Sequence, residues 1–183
     1  EAVVHSETGL VVKAINMVGQ PTAPIRILCP PKDNFIATVG FQDFEATAND
    51  AAASAGFEFS LTSASMPGES IVLALERQFD GARFVSTWQR WNRPSDNGSV
   101  SEERFSLPVS SNAGRLGFIR RGTQLFVMYS EAGSESFRLM NSYFVGDRPF
   151  ETLEVRGLDK KVHAEASSSS VKINGFEYQS PQR

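Results

Sequence analysis

Phe57-Glu58-Phe59-Ser60-Leu61 alternates apolar and polar side chains residue by residue, and this pattern returns along most of the chain. The other alternating segments are 71–76, 84–91, 116–121, 125–129 and 137–144. Successive side chains of a β-strand point to opposite faces, so each segment would bury one face and expose the other. Gly, Pro, Asn and Ser separate the segments, as they do at turns. The sequence therefore predicts an all-β, two-sheet antiparallel sandwich.

Turn signals predict which strands are neighbours. Asp80-Gly81 is a dipeptide favoured in tight turns and predicts a hairpin of strands 71–79 and 83–91. Gly122-Thr123 likewise predicts a hairpin of strands 114–121 and 124–131.

Two other segments are predicted to be connections. Residues 46–55 are rich in Ala, Asn and Asp and are expected to form a loop. The four serines 167–170 are expected to form an exposed or mobile connection before a last strand at 171–178.

Composition limits the classes of function. A chain of 183 residues with 40% hydrophobic residues and 14 Phe is long enough for a single domain, expected to span 1–183. A net charge of −3 argues against a nucleic-acid partner. No run of about 20 apolar residues is present, so membrane insertion is not expected. Cys29 is the only cysteine, which excludes an internal disulfide and leaves the cellular compartment undecided.

The segment Gly114-Arg115-Leu116-Gly117-Phe118-Ile119-Arg120-Arg121-Gly122, followed by the strand 124–131 and the finish at 171–178, resembles the concanavalin A-like lectin and glucanase superfamily. The resemblance covers residues 34–178 and is closest to bacterial modules of unknown function on large, often exported proteins. It implies a jelly-roll sandwich and an exported or cell-surface location. It does not imply one function, because this fold carries lectins, glycosidases and spacer modules.

Catalytic signatures are missing from the sequence. Glucanases of this superfamily carry an E-x-D-x-x-E strand, and retaining glycosidases need two carboxyl groups about 5 Å apart. The nearest acidic pairs here, Glu102 with Glu103 and Glu151 with Glu154, have the wrong spacing for one strand face. His5 and His163 have no second metal ligand at a suitable spacing. The sequence predicts a non-catalytic module without metal or cofactor, and a glycoside hydrolase is the less favoured alternative.

The segment 84–91 carries the side chains best suited to bind a ligand. Alternation puts Phe84 and Trp88 on one face, expected to be core, and Gln89 and Trp91 on the other. An exposed aromatic ring beside polar side chains is a common way to bind sugars. The candidate ligand-binding residues are Trp91, Trp88, Arg90, Gln89, Arg77 and Asn92. The alternatives are that both tryptophans only pack the core and its rim, and that the partner is a neighbouring domain and not a glycan.

Overall fold

A computed structural model describes residues 3–6, 9–15, 25–28, 34–48, 53–63, 66, 68–91, 100–160 and 168–180. The regular elements in these ranges are all β-strands. They are β1 Val3–Ser6, β2 Gly9–Ile15, β3 Ile25–Leu28, β4 Asn34–Thr47, β5 Ser54–Thr62, β6 Ser70–Gln78, β7 Gly81–Trp91, β8 Val100–Val109, β9 Gly114–Arg121, β10 Gln124–Glu131, β11 Arg138–Phe144, β12 Thr152–Lys160 and β13 Ser168–Gln179. Within the described ranges, no helix has the length and apolar character needed to cross a membrane.

The strands form two sheets of antiparallel neighbours. The seven-stranded sheet has the order β1-β2-β13-β4-β9-β10-β11, and the six-stranded sheet has the order β3-β12-β5-β6-β7-β8. Consecutive strands β5 to β8 form a meander in the six-stranded sheet, and β9 to β11 form one in the other. The predicted all-β, two-sheet jelly-roll class is confirmed.

The core lies between the sheets and is rich in aromatic rings. Phe41 of β4 contacts Phe57 of β5 at 5.3 Å between ring centroids. Phe59 contacts Phe118 of β9 at 5.0 Å. All four of these side chains are at most 1% exposed. The alternation of the sequence therefore places the phenylalanines of both sheets face to face, where burying their large apolar surface stabilises the sandwich.

The predicted hairpins form, but one turn lies a residue earlier than expected. Gln78 pairs with Gly81, so the connecting residues are Phe79 and Asp80. Gly81 follows the turn with φ of 140°, a value that favours glycine. The signal in Asp80-Gly81 thus located the hairpin but not the turn positions. The second hairpin turns at Gly122-Thr123 as predicted, because Arg121 pairs with Gln124.

Two predicted connections are shorter than expected. The serines 168–170 belong to β13, and Ser169 is buried while its hydroxyl donates to the Gly56 carbonyl oxygen at 2.8 Å. The prediction of a connection there is wrong for 168–170, because these residues pair with β2 and β4, although Ser168 is exposed. Ser167 lies outside the described residues. The predicted loop 46–55 is also too long, since β4 continues to Thr47 and β5 begins at Ser54.

Candidate functional site

β7 presents two different faces, as its alternation predicted. Phe84, Ser86 and Trp88 are buried on the inner face, which points toward the opposite sheet. Val85, Thr87 and Gln89 therefore lie on the outer face, which points away from it.

Trp88 is a core residue that contacts two arginines. Its side chain is 4% exposed, and its ring meets Tyr143 at 5.4 Å between centroids. The guanidinium carbon of Arg90 lies 4.3 Å from the ring centroid and that of Arg148 lies 5.4 Å from it. The indole Nε1 donates to Glu69 at 3.3 Å. The indole thus holds two cations by cation–π contact and is not presented for stacking on a ligand.

Arg148 reaches the same buried acid. Its Nε lies 2.5 Å from Glu69 Oε1 as an ion pair without the alignment of a hydrogen bond. Across the end of β7, Arg90 lies 3.6 Å from Glu103. The charged side chains around Trp88 and Arg90 therefore form a polar cluster at this end of the core.

The other candidate ligand-binding residues predicted from sequence do not lie together. Gln89 is half-buried on the outer face and lies across from Ser70, whose hydroxyl donates to it at 3.4 Å. The backbone of Trp91 pairs with Val100, whereas its side chain, like the whole of Asn92, lies outside what the structure describes. Arg77 pairs with Ala82 beside the turn, so it lies at the opposite end of the hairpin. The expectation that Arg77 lines the same region as Trp91 is wrong, because antiparallel strands bring the end of β6 to the start of β7.

The outer face of the six-stranded sheet has a floor of small side chains at its centre. Cross-strand register aligns Arg156, Glu58, Ala74, Val85 and Ser106 in one row from β12 to β8. Ala74 is 2% exposed and Val85 is 1% exposed, although both point away from the core between the sheets. We call the residues Ser60, Val72, Ala74, Val85 and Thr87 the floor; all but the partly exposed Val72 are buried.

Two buried carboxylates flank the floor, and each holds an arginine. Glu58 pairs with Arg156 directly across from it, and the exposed fractions of their side chains are 5% and 47%. Glu76 pairs with Arg104 at 3.0 Å, with exposed fractions of 3% and 38%. Because Glu76 is on β6 and Arg104 on β8, this second pair bridges over β7. In both pairs the acid is buried and the guanidinium reaches solvent.

Further polar contacts extend this arrangement. Gln78 donates to Glu76 at 3.2 Å, and Arg26 of β3 donates to Glu154 of β12 at 2.8 Å. Arginine carries its donors in a rigid planar fork, and a paired carboxylate fixes the direction in which the fork points. The face thus offers oriented donors beside acceptors around an apolar centre, which suits a ligand rich in hydroxyl groups.

Sequence reasoning missed Glu58 and Glu76. Each is the one acidic residue of its strand, so neither forms a short-range acidic motif. They become diagonal neighbours only because Gly56 pairs with Glu76 while Glu58 pairs with Ala74. The alternation in 57–61 indicated that Glu58 lies on the face opposite the phenylalanines. The β5–β6 register, however, could not be predicted from the sequence.

Among the described residues, no group of three or more His, Cys, Asp or Glu is arranged to hold a metal ion.

Solved structures with the same architecture include proteins of different kinds. A functionally unknown protein from Saccharomyces cerevisiae matches with a TM-score of 0.60 at 10% identity, over 100% of this chain and 94% of the other. A legume lectin-like domain from Entamoeba histolytica matches with a TM-score of 0.59 at 8% identity, over 98% and 87%. The GH43 protein BlXynB from Bacillus licheniformis matches with a TM-score of 0.61 at 9% identity, over 93% of this chain but 32% of its own length. The TM-scores establish a shared jelly-roll fold, and at such low identities they establish the fold alone.

A search of curated proteins found no sequence relative. One protein family, described as "Protein of unknown function (DUF1583) C domain", matches residues 3–177. The match extends over nearly all the strands of both sheets, from β1 into β13. The chain therefore belongs to the DUF1583 C-domain family, as a jelly-roll member of it.

Proposed function

We propose that this domain binds carbohydrate, without acting on it chemically, on the outer face of its six-stranded sheet. The observation that carries the proposal is the pair of buried acids, Glu58 and Glu76, each holding a solvent-reaching arginine beside the small-residue floor. A sugar hydroxyl can accept a hydrogen bond from each guanidinium, and the buried acid holds that guanidinium in place. The floor itself is packed into a small buried cluster with Leu158, so a sugar would contact the arginines that surround it.

The charge balance of this face favours a neutral glycan. Its described side chains include the arginines 26, 83, 104 and 156, the glutamates 58, 76, 102 and 154, and Asp80, which pairs with Arg83, so the charges nearly balance. A polyanionic ligand would find a carboxylate beside every guanidinium and would gain little Coulomb attraction. The likeness to a legume lectin-like domain supports sugar binding by this fold without specifying the sugar.

Of the residues predicted from sequence, the proposal keeps Gln89 on this face, and the side chain of Trp91 lies outside what the structure describes. Arg90 and Trp88 are given a supporting role at the inner end of β7, where Trp88 fixes the guanidinium of Arg90. Arg77 and Asn92 are not needed by the proposal.

Binding to a panel of soluble neutral polysaccharides tests this function. Isothermal titration of the wild type with each polysaccharide should give saturable binding for at least one of them. Arg104→Ala and Arg156→Ala should each weaken that binding about tenfold, because each removes a charged hydrogen-bond donor. Arg121→Ala is the matched control, since this exposed arginine lies on the seven-stranded sheet. No binding by any polysaccharide, or equal binding by all variants, would contradict the proposal.

A second candidate function, contact with a neighbouring domain, is favoured by an apolar patch on the seven-stranded sheet. Ile36, Leu139 and Phe144 are 40%, 57% and 67% exposed. Large exposed apolar side chains on one sheet are typical of protein contacts. Leu139→Ser and Phe144→Ser would then weaken association with the other domains of a full-length family member, measured by co-purification, while leaving polysaccharide binding unchanged.

A further inference from the structure

A second depression lies on the opposite side of the molecule. It has a volume of about 330 Å³ and opens on the outer face of the seven-stranded sheet, between β13, β4, β9 and the β10–β11 loop. This volume is within the range of small-molecule sites. It belongs to none of the surfaces described above.

The floor of the depression includes glycines on two neighbouring strands. Gly40 of β4 pairs with Gly175 of β13, and both line the depression. A Cβ on Gly40 would collide with Asn174 Oδ1, so the Asn174 side chain covers Gly40 and leaves Gly175 open. Neither glycine has a positive φ, and a Cβ on Gly175 would meet no atom within 4 Å. Backbone conformation and packing therefore do not require glycine at 175. A glycine inside a strand without such a requirement is typical of a place where a ligand approaches the backbone closely.

The backbone around this floor is irregular. Asn174 is an extra residue of β13, because the register to β4 shifts between Ile173 and Gly175. This bulge directs the Asn174 side chain over Gly40, where its Nδ2 donates to Gln42 Oε1 at 3.1 Å. Asp43, which follows Gln42 in β4, has φ of 55° and is the one described non-glycine residue with positive φ. Bulges and unusual backbone conformations of this kind are concentrated near binding sites.

The lining identifies the ligand chemistry. Glu131 and Glu177 place two carboxylates on the rim, and Gln42 and Thr38 add an amide and a hydroxyl. The guanidinium of Arg115 donates to the Ser130 hydroxyl and to the Glu135 carbonyl oxygen at 2.7 Å, and it lies 4.7 Å from the centre of the Phe137 ring. Since that cation is directed at the protein's own groups, an anion would find little attraction here. Hydroxyl donors, in contrast, would meet carboxylate and amide acceptors.

We infer that this depression binds a neutral monosaccharide or a single terminal sugar unit. The sugar ring would lie over Gly175, beside the Asn174 side chain, and its hydroxyls would reach Glu177, Gln42 and Thr38. This second site does not depend on the glycan-binding face of the six-stranded sheet, and either site can exist without the other.

Amide chemical shifts during titration with glucose, galactose and mannose, each to millimolar excess, test this inference. We expect at least one sugar to shift the amides of Gly40, Gly175 and Ser130 together. Gly175→Trp should weaken that binding at least about tenfold by filling the floor. Glu177→Ala should weaken binding as well. Because Glu177 is exposed and the change is small, this variant tests the site even if Gly175→Trp disturbs folding.

Two controls separate this site from the first. Arg104→Ala should leave the monosaccharide shifts unchanged, and inorganic phosphate should not produce them. The inference is overturned if none of the three sugars shifts these amides, if phosphate does so instead, or if both Gly175→Trp and Glu177→Ala bind like the wild type. None of these results bears on polysaccharide binding by the six-stranded sheet.

Discussion

Glu76 illustrates how much one residue depends on its partner. The side chain is 2% exposed and pairs with Arg104 at 3.0 Å. Replacing Arg104 by Ala leaves a buried carboxylate without this partner, and we expect a loss of about 1–3 kcal/mol in the free energy of unfolding. The variant Glu76→Ala/Arg104→Ala should lose less than the sum of the two single changes.

Urea unfolding of the four proteins in this cycle measures the coupling. Glu102→Ala is the control, because Glu102 is exposed on the same sheet and should change stability little. Strictly additive losses would show that the pair does not act as a unit.

Tyr143 gives a pH dependence at the residue scale. Its hydroxyl is 2.5 Å from that of Ser86 inside the core. Burial raises its pKa above 10.0, helped by the charge of Glu103 and opposed by hydrogen bonds to Ser86 and Asn141. Above pH 10.0 the unfolded chain therefore loses this proton before the folded protein does, so stability falls as the pH rises further.

Thermal unfolding from pH 9 upward, compared with Tyr143→Phe, checks this effect, the starting pH lying about one unit below the ordinary tyrosine pKa. The wild type should lose more stability than Tyr143→Phe over the alkaline range. Parallel curves for the two proteins would contradict the assignment.

At the scale of elements, the hairpins depend on glycines in left-handed conformations. Gly122 has φ of 56° in the turn between β9 and β10, with open space around a would-be Cβ. Gly122→Ala should therefore cost about 1 kcal/mol through backbone conformation alone. Gly175→Ala is the matched control: it also meets open space, but without a positive φ, and should be near neutral. Equal urea midpoints for the two variants would contradict this explanation.

Prediction from sequence succeeded where the signal was local. Alternation identified which side of β7 is core, because side-chain parity within one strand needs no knowledge of other strands. Prediction from sequence failed where the structure depends on which residues pair between strands. The neighbourhood of Glu58 and Glu76 depends on the β5–β6 register, and Ser169 belongs to β13 because it pairs with Ala14 and Ala46, which are distant in the sequence.

The success and failure of prediction for the candidate ligand-binding residues follow the same division. Gln89 could be placed on the outer face from parity, and the structure puts it there. Arg77 could not be placed correctly, because its neighbours depend on the direction in which β7 returns along β6. The role of Trp88 as a contact for two cations required the positions of Arg90 and Arg148 in three dimensions.

At the scale of the whole molecule, the two sheets carry different surfaces on their outer faces. The six-stranded sheet presents paired charges around small side chains, and the seven-stranded sheet presents a glycine-floored depression and exposed apolar residues. The core between them separates these faces, so changes on one should not alter binding on the other. A protein carrying both Arg104→Ala and Gly175→Trp should show the sum of the two single effects on binding free energy, measured by titration with each ligand.

Mapping a bound polysaccharide onto the structure by amide chemical shifts tests the central claim most directly. The account predicts that a neutral polysaccharide shifts the amides of the floor, at Ser60, Ala74, Val85 and Thr87, and that Arg104→Ala greatly reduces these shifts. If every polysaccharide of the panel leaves these amides unchanged, or if the shifts lie only on the seven-stranded sheet, the outer face of the six-stranded sheet is not a carbohydrate-binding surface.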